Sequence, residues 1–112
     1  MLNQVVLVGR LTSDPEVVHL EGGHKKSNFN VAVPRSYKNS NGEYETDYIR
    51  CVLWDAIATS TSEYCHKGDI VGIKGRIQVT QYEENKEKKY LTEVVAEKVT
   101  FLSSKKQEET DK

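Results

Sequence analysis

The sequence predicts an all-β domain with one short helix, arranged as a five-stranded barrel. Three observations carry this reading. Apolar and polar residues alternate with a period of two over several stretches, as they do on half-buried strands. One interior segment, residues 55–67, breaks the alternation. Turn-forming clusters separate the stretches. At 112 residues the chain fits one compact domain.

Asn3–Leu11 is β-branched and apolar and reads as strand one, ended by Ser13-Asp14-Pro15. Gly22-Gly23 with His24-Lys25-Lys26 marks a basic loop within residues 13–27. Asn28–Val33 places Phe29, Val31 and Val33 on one face, with a disturbance expected at Pro34. Asn39-Ser40-Asn41-Gly42 is a turn signal. Strand three, Thr46–Asp55, sorts Ile49, Cys51 and Leu53 to one face and Tyr48, Arg50, Val52 and Trp54 to the other.

Asp55–Lys67 reads as a short helix, with Asp55 at its N-cap, Gly68 closing it, and Ile57, Thr61 and Tyr64 on one face. Its Thr and Ser content gives it modest intrinsic propensity, so packing must hold it. Asp69–Tyr82 is a long strand with Val71, Ile73, Ile77 and Val79 inward; Gly72 and Gly75 suggest bends or close backbone approach. Glu83–Lys89 reads as a charged hairpin tip and Tyr90–Leu102 as the last strand. Phe29, Phe101 and Tyr64 are expected in the core. Residues 1–102 form the domain; 103–112, SSKKQEETDK, lack apolar residues and are expected to be a disordered polar tail.

Three strands, a helix and two strands is the element order of the OB-fold, a small Greek-key barrel whose binding face lies around its second and third strands. Fold alone does not give function. The outward face of strand three does suggest one. Two large rings and an arginine stand where a half-buried strand is ordinarily polar. Flat rings with interleaved cations suit unpaired bases and their phosphates. Tyr37, Tyr48, Trp54 and Tyr82 each lie near a cation, and Arg35, Arg50, Lys67, Lys74, Arg76 and Lys89 are the candidate phosphate contacts. Trp54 is the only tryptophan. Rings of this kind equally fill a core or a subunit interface.

Net charge is −1, from 16 Lys and Arg against 17 Asp and Glu. Nucleic-acid binders often carry a basic excess, so global charge counts against that reading and local arrangement must carry it. No apolar run suits a membrane span, and the N-terminus lacks the features of a signal peptide. Two cysteines are too few for a disulfide framework, and thiols in a reducing cytosol are expected. His19, His24 and His66 are scattered, with no metal-ligand spacing. No phosphate loop, serine elbow or HExxH motif is present. No enzyme, metal or cofactor is expected.

NQVVLVGRLTSDPE at 3–16, the 48–54 segment, EYCHKGD at 63–69, GRIQV at 75–79 and TEV at 92–94 resemble bacterial single-stranded DNA-binding proteins. The resemblance covers about residues 1–102. It implies an OB-fold, a cytoplasmic, nucleoid-associated homotetramer whose first strands pair between subunits, and binding of single-stranded DNA with little sequence preference in replication, recombination, repair or DNA uptake. It places Tyr37, Tyr48, Trp54 and Tyr82 on the DNA path, with basic positions at Arg50, Lys67 and Arg76. The chain departs from the family pattern at Val18-His19 and at Gln78, Thr80 and Gln81, where basic or Arg-Tyr residues are frequent. Fewer phosphate contacts and a shallower salt dependence follow. The tail lacks the acidic tip by which family members recruit repair and replication proteins, so recruitment by that route is not expected. The competing reading is a protein-interaction OB domain, a primosome-type or regulatory subunit using the same rings.

Overall fold

The computed structural model describes residues 1–104. Its strands are β1 (Val5–Leu11), β2 (Val17–His19), β3 (Lys25–Lys38), β4 (Tyr44–Trp54), β5 (Ile70–Glu84) and β6 (Glu87–Ser103), with helix α1 (Asp55–Tyr64) between β4 and β5. The sheet order is β1-β5-β6-β4-β3-β2, and β1 also pairs with β3. That second pairing, Arg10 with Ala32 and Leu11 with Val31, closes five strands into a barrel. β2 hangs on the outer edge of β3. The expected OB-type barrel is present, with one short strand more than the sequence indicated.

The core follows from alternation. Leu11, Phe29, Val31, Cys51, Leu53, Val71, Ile73 and Val94 bury their side chains inside the barrel, with Ala58 of α1 against its end. At the closure β1 runs so near β3 that a Cβ on Gly9 would meet Val31 and lie 2.7 Å from the Ala32 carbonyl oxygen. Gly75 sits at a register shift of β5, where a Cβ would collide with the Val95 carbonyl oxygen. This is the close backbone approach that its place in an apolar strand suggested.

Several expectations are corrected. Ile77 and Val79 are exposed rather than buried. Their pattern is right, but the wall is missing: β1 accompanies β5 only as far as Gly75, and the β5–β6 hairpin runs on alone to Glu84 and Glu87. The side chain of Asn3 extends the contact by one step, bonding both the N–H and the carbonyl of Ile77. The charged tip shrinks to a two-residue turn, Asn85-Lys86, both at positive φ as a type I′ hairpin requires. Lys25 and Lys26 belong to β3, not to a loop, and β3 passes Pro34 with a register shift before Lys38.

Asp55 does not cap α1. It is the first helical residue, at φ 52°, and its carboxylate accepts the Lys25 backbone N–H at 3.0 Å. The helix stops at Tyr64, and the Cys65 N–H bonds the Thr61 carbonyl at 2.9 Å. Lys67 and Gly68 lie in the following turn, where the Gly68 N–H reaches the Leu11 carbonyl. Tyr64 and Phe101 are exposed and line a shallow depression at the barrel end instead of entering the core. Cys51 and Cys65 are buried free thiols. β6 ends at Ser103, and residues 105–112, on which the expected tail falls, lie outside those described. Among the described residues no helix is long and apolar enough to cross a membrane.

Candidate nucleic-acid interface

The outer face of the barrel is assembled by register. Lys26 of β3 stands opposite Trp54 of β4, Asn28 opposite Val52, Asn30 opposite Arg50 and Ala32 opposite Tyr48. β6 continues the sheet beyond β4, with Val95 aligned to Val52, and β5 follows, with Arg76 aligned to Val95 and Gln78 to Glu93. One row of side chains therefore crosses four strands: Asn28, Val52, Val95, Arg76. Val52 is only 2% exposed although it points outward, and neither it nor Val95 belongs to the barrel core. They form an apolar floor between the larger groups.

Above that floor the rings remain accessible. Tyr48 is 67% exposed and Trp54 39%. The Lys26 ammonium sits over the Trp54 ring, 5.3 Å from its centre. Such a contact contributes about 0.5–1 kcal/mol at an exposed site and leaves a cation beside the ring. Next to Tyr48 lies a groove of about 480 Å³ lined by Val8, Gly9, Arg10, Ala32 and Pro34. Lys67 borders an adjoining depression on the same ring.

The two arginines of the β3–β4 ribbon are set differently. Arg50 donates its Nε–H to Glu93 Oε2 at 2.9 Å. Glu93 is buried, so the contact holds the guanidinium by one edge and leaves both Nη groups without a partner among the described residues. Arg35 is closed: its Nε and Nη2 bond Asp47, and its Nη1 bonds Glu45 at 2.7 Å. The hydrogen bond to Asp47, then its charge, raises the Arg35 pKa, and the same bond holds the Asp47 carboxyl below its ordinary value.

The remaining sequence-predicted residues are spread along the same sheet. Arg76 bonds Gln78 at 3.0 Å. Tyr82 pairs with Lys89 on the hairpin arm, and Lys89 approaches Glu87 at 3.9 Å. Lys74 stands between Val6 and Lys98. The Lys67 and Lys74 ammonium groups have no carboxylate partner among the described residues, while the Lys67 backbone N–H donates to Asp14 Oδ1 at 2.7 Å. Tyr37 is exposed and lies in the irregular stretch of β3 between Pro34 and Lys38. Lys38, just beyond it, reaches across to the Tyr44 ring.

Sequence reasoning missed Tyr44 and Glu93 as members of this surface and placed Lys26 in a basic loop rather than on the strand. Extending strand two by two residues would have found Lys26, in phase with Asn28 and Asn30. Tyr44 is in phase with Tyr48. Glu93 carried no local signal, because its partner lies 43 residues away. Among the described residues no cluster of His, Cys, Asp and Glu is arranged to hold a metal.

Comparison with known proteins decides the family. The model of the Single-strand binding protein family matches residues 2–102. The chain belongs to that family. Among its relatives is single-stranded DNA-binding protein B of Bacillus subtilis (strain 168), 47% identical over 109 residues, which cover 96% of each chain. Single-stranded DNA-binding protein 3 of Listeria innocua is 47% identical over 106 residues, 94% of this chain and 66% of that one. The single-stranded DNA-binding protein of Lactiplantibacillus plantarum is 44% identical over 110 residues, 97% of this chain and 55% of that one. The chain thus spans nearly all of the first relative and between about half and two thirds of the others. Single-strand binding proteins are non-enzymatic DNA-binding proteins.

Proposed function

We propose that the chain binds single-stranded DNA without strong sequence preference and protects it during replication, recombination, repair or DNA uptake. The observation that carries this is the β3–β4 face, on which Tyr48, Arg50 and Trp54 stand in one row with Lys26 over the tryptophan. Bases stack on Tyr48 and Trp54, and on Tyr82 at the hairpin arm. Each stack contributes about 1–3 kcal/mol and tolerates any base, since every base has a π-face. A strand that follows the β3–β4 arm also reaches Tyr37.

Phosphates meet Arg50, Lys67, Lys74, Arg76, Lys89 and Lys26. Arg35 joins them only by exchanging Asp47 and Glu45 for phosphate, so its contribution is the smallest. Each neutralised phosphate adds roughly −0.7 to the slope of log affinity on log salt for a single strand. Carboxylates bonded to Arg35 and Arg50 compete with DNA, and the slope is shallower than the count of basic residues suggests.

The assembly we propose is a homotetramer in the cytoplasm, associated with the nucleoid. Its support is β1, which pairs with β5 from Val5 to Arg10 but meets β3 only at Arg10 and Leu11. The other edge of its first half is open, and Val6 and Val8 are exposed on its outer face. An open edge with apolar side chains invites a second strand.

The near-neutral charge favours a second reading, a protein-interaction domain using the same rings. Substituting Trp54→Ala together with Tyr82→Ala separates them. Under the DNA reading the double variant binds a labelled oligo-dT at least tenfold more weakly and keeps its native mass. Unchanged oligonucleotide binding with a lost assembly would reject it.

A further inference from the structure

The aromatic row of β4 does not end at Tyr48. Arg35 bonds both Glu45, at 2.7 Å, and Asp47, at 2.9 Å, so those two carboxylates share one face of the strand. Alternation then puts Tyr44, Thr46 and Tyr48 together on the opposite face, in phase with Arg50 and Trp54. Tyr44 is 60% exposed, nearly as open as Tyr48. It carries its own cation: Lys38, its register partner, holds its ammonium 5.7 Å from the ring centre. The ribbon therefore has a lysine-on-ring pair at each end, Lys26 with Trp54 and Lys38 with Tyr44. Tyr48 stands between them. Thr46, between the two rings, lines a groove together with Pro34 and Tyr48. At a strand rise of about 3.3 Å per residue, Tyr44 lies about 13 Å from Tyr48, nearer than Tyr48 is to Trp54.

We propose that Tyr44 and Lys38 form an additional subsite for single-stranded DNA, taking one base on the ring and one phosphate on the ammonium. The proposal rests on the DNA-binding reading of the β4 face and extends it by one stacking position. Continuity with that face and the adjacent cation select a nucleic-acid strand as the occupant over an apolar partner. Thr46 leaves room for backbone to pass between the two rings. The register shift of β3 between Pro34 and Lys38 matters here. By adding residues to β3 alone, it brings Lys38 opposite Tyr44.

The full chain and the variants Tyr44→Ala, Tyr44→Phe and Lys38→Ala are titrated with oligo-dT of increasing length, following Trp54 emission, with thermal midpoint and native mass measured in parallel. The proposal expects Tyr44→Ala to bind long oligonucleotides roughly 5- to 150-fold more weakly, as loss of one stack implies. Short oligonucleotides that fill only the Tyr48–Trp54 segment bind it as they bind the parent. Tyr44→Phe keeps the parent's affinity, and Lys38→Ala lowers the salt slope by about 0.7. If Tyr44→Ala matches the parent at every length while Trp54 still responds, the subsite is refuted and the DNA reading stands. A changed native mass with unchanged affinity refutes it in favour of a protein contact. Failure of the parent's Trp54 emission to respond to any oligonucleotide rejects the DNA reading itself, and the subsite with it.

Discussion

Glu93→Gln should tighten DNA binding. Glu93 is a buried carboxylate in the middle of the outer face, and its Oε2 accepts the Arg50 Nε–H at 2.9 Å. A glutamine keeps an acceptor oxygen at that place, so Arg50 stays oriented, while one negative charge leaves the face. A phosphate on the Nη edge of Arg50 would lie about 6 Å from the carboxylate, and repulsion over that distance is about 0.7–2.8 kcal/mol for effective dielectrics of 80 to 20. Arg50 is 38% exposed, so solvent and salt favour the lower end. The expected gain is about 1 kcal/mol, roughly fivefold in affinity. It is read from oligo-dT titrations at two salt concentrations, and it should shrink at the higher one. Arg50→Ala acts in the opposite sense and also removes the partner of a buried carboxylate, costing about 1–3 kcal/mol of folding stability. Weaker or unchanged binding by a stably folded Glu93→Gln at low salt would show that Glu93 does not compete with phosphate.

Other outcomes follow from the same geometry. Gly75→Ala drives a Cβ into the Val95 carbonyl oxygen and should lower stability by about 1–3 kcal/mol or more, seen as a reduced thermal midpoint. Asp47 and Asp55 are both held below the ordinary carboxylate range, Asp47 by its bond from Arg35 and Asp55 by the Lys25 N–H. Their stabilisation is present above the unfolded value of about 3.9 and is lost as pH falls through the lower folded values. The thermal midpoint should therefore drop in that acid range, and Asp47→Asn or Asp55→Asn should each flatten the drop. Burial pushes the Cys51 thiol up to about 12 and raises Cys65 as well. Neither should react with a thiol reagent at pH 8 until the protein unfolds; rapid labelling of the native chain would contradict this.

Period-two alternation made most of the barrel legible. Ile49, Cys51 and Leu53 are where parity puts them, and the opposite parity names Tyr48, Arg50 and Trp54. Alternation says which way a residue points; it does not say whether anything stands opposite. Ile77 and Val79 look like core because the pattern of Val71 and Ile73 continues into them, yet β1 has ended by then. Asp55 has the chemistry of a helix cap, but its carboxylate finds the backbone of Lys25, 30 residues earlier in the chain. The electrostatics were least legible. Counting lysines and arginines cannot show that Arg35 is closed by Asp47 and Glu45, or that Arg50 is held by one edge only. Those pairings arise from register between strands, and register is fixed by turns and bulges such as the one after Pro34. Tyr37 illustrates the limit: it lies in the irregular stretch of β3 between Pro34 and Lys38, where alternation gives no face and only the resemblance named it.

The measurement that bears most directly on the central claim is a titration of the chain with oligo-dT, read by the emission of Trp54 as salt is varied. A base stacking on that ring beside Lys26 and Arg50 predicts quenching that saturates with DNA and is reversed by added salt. No quenching, or quenching indifferent to salt, would contradict the account.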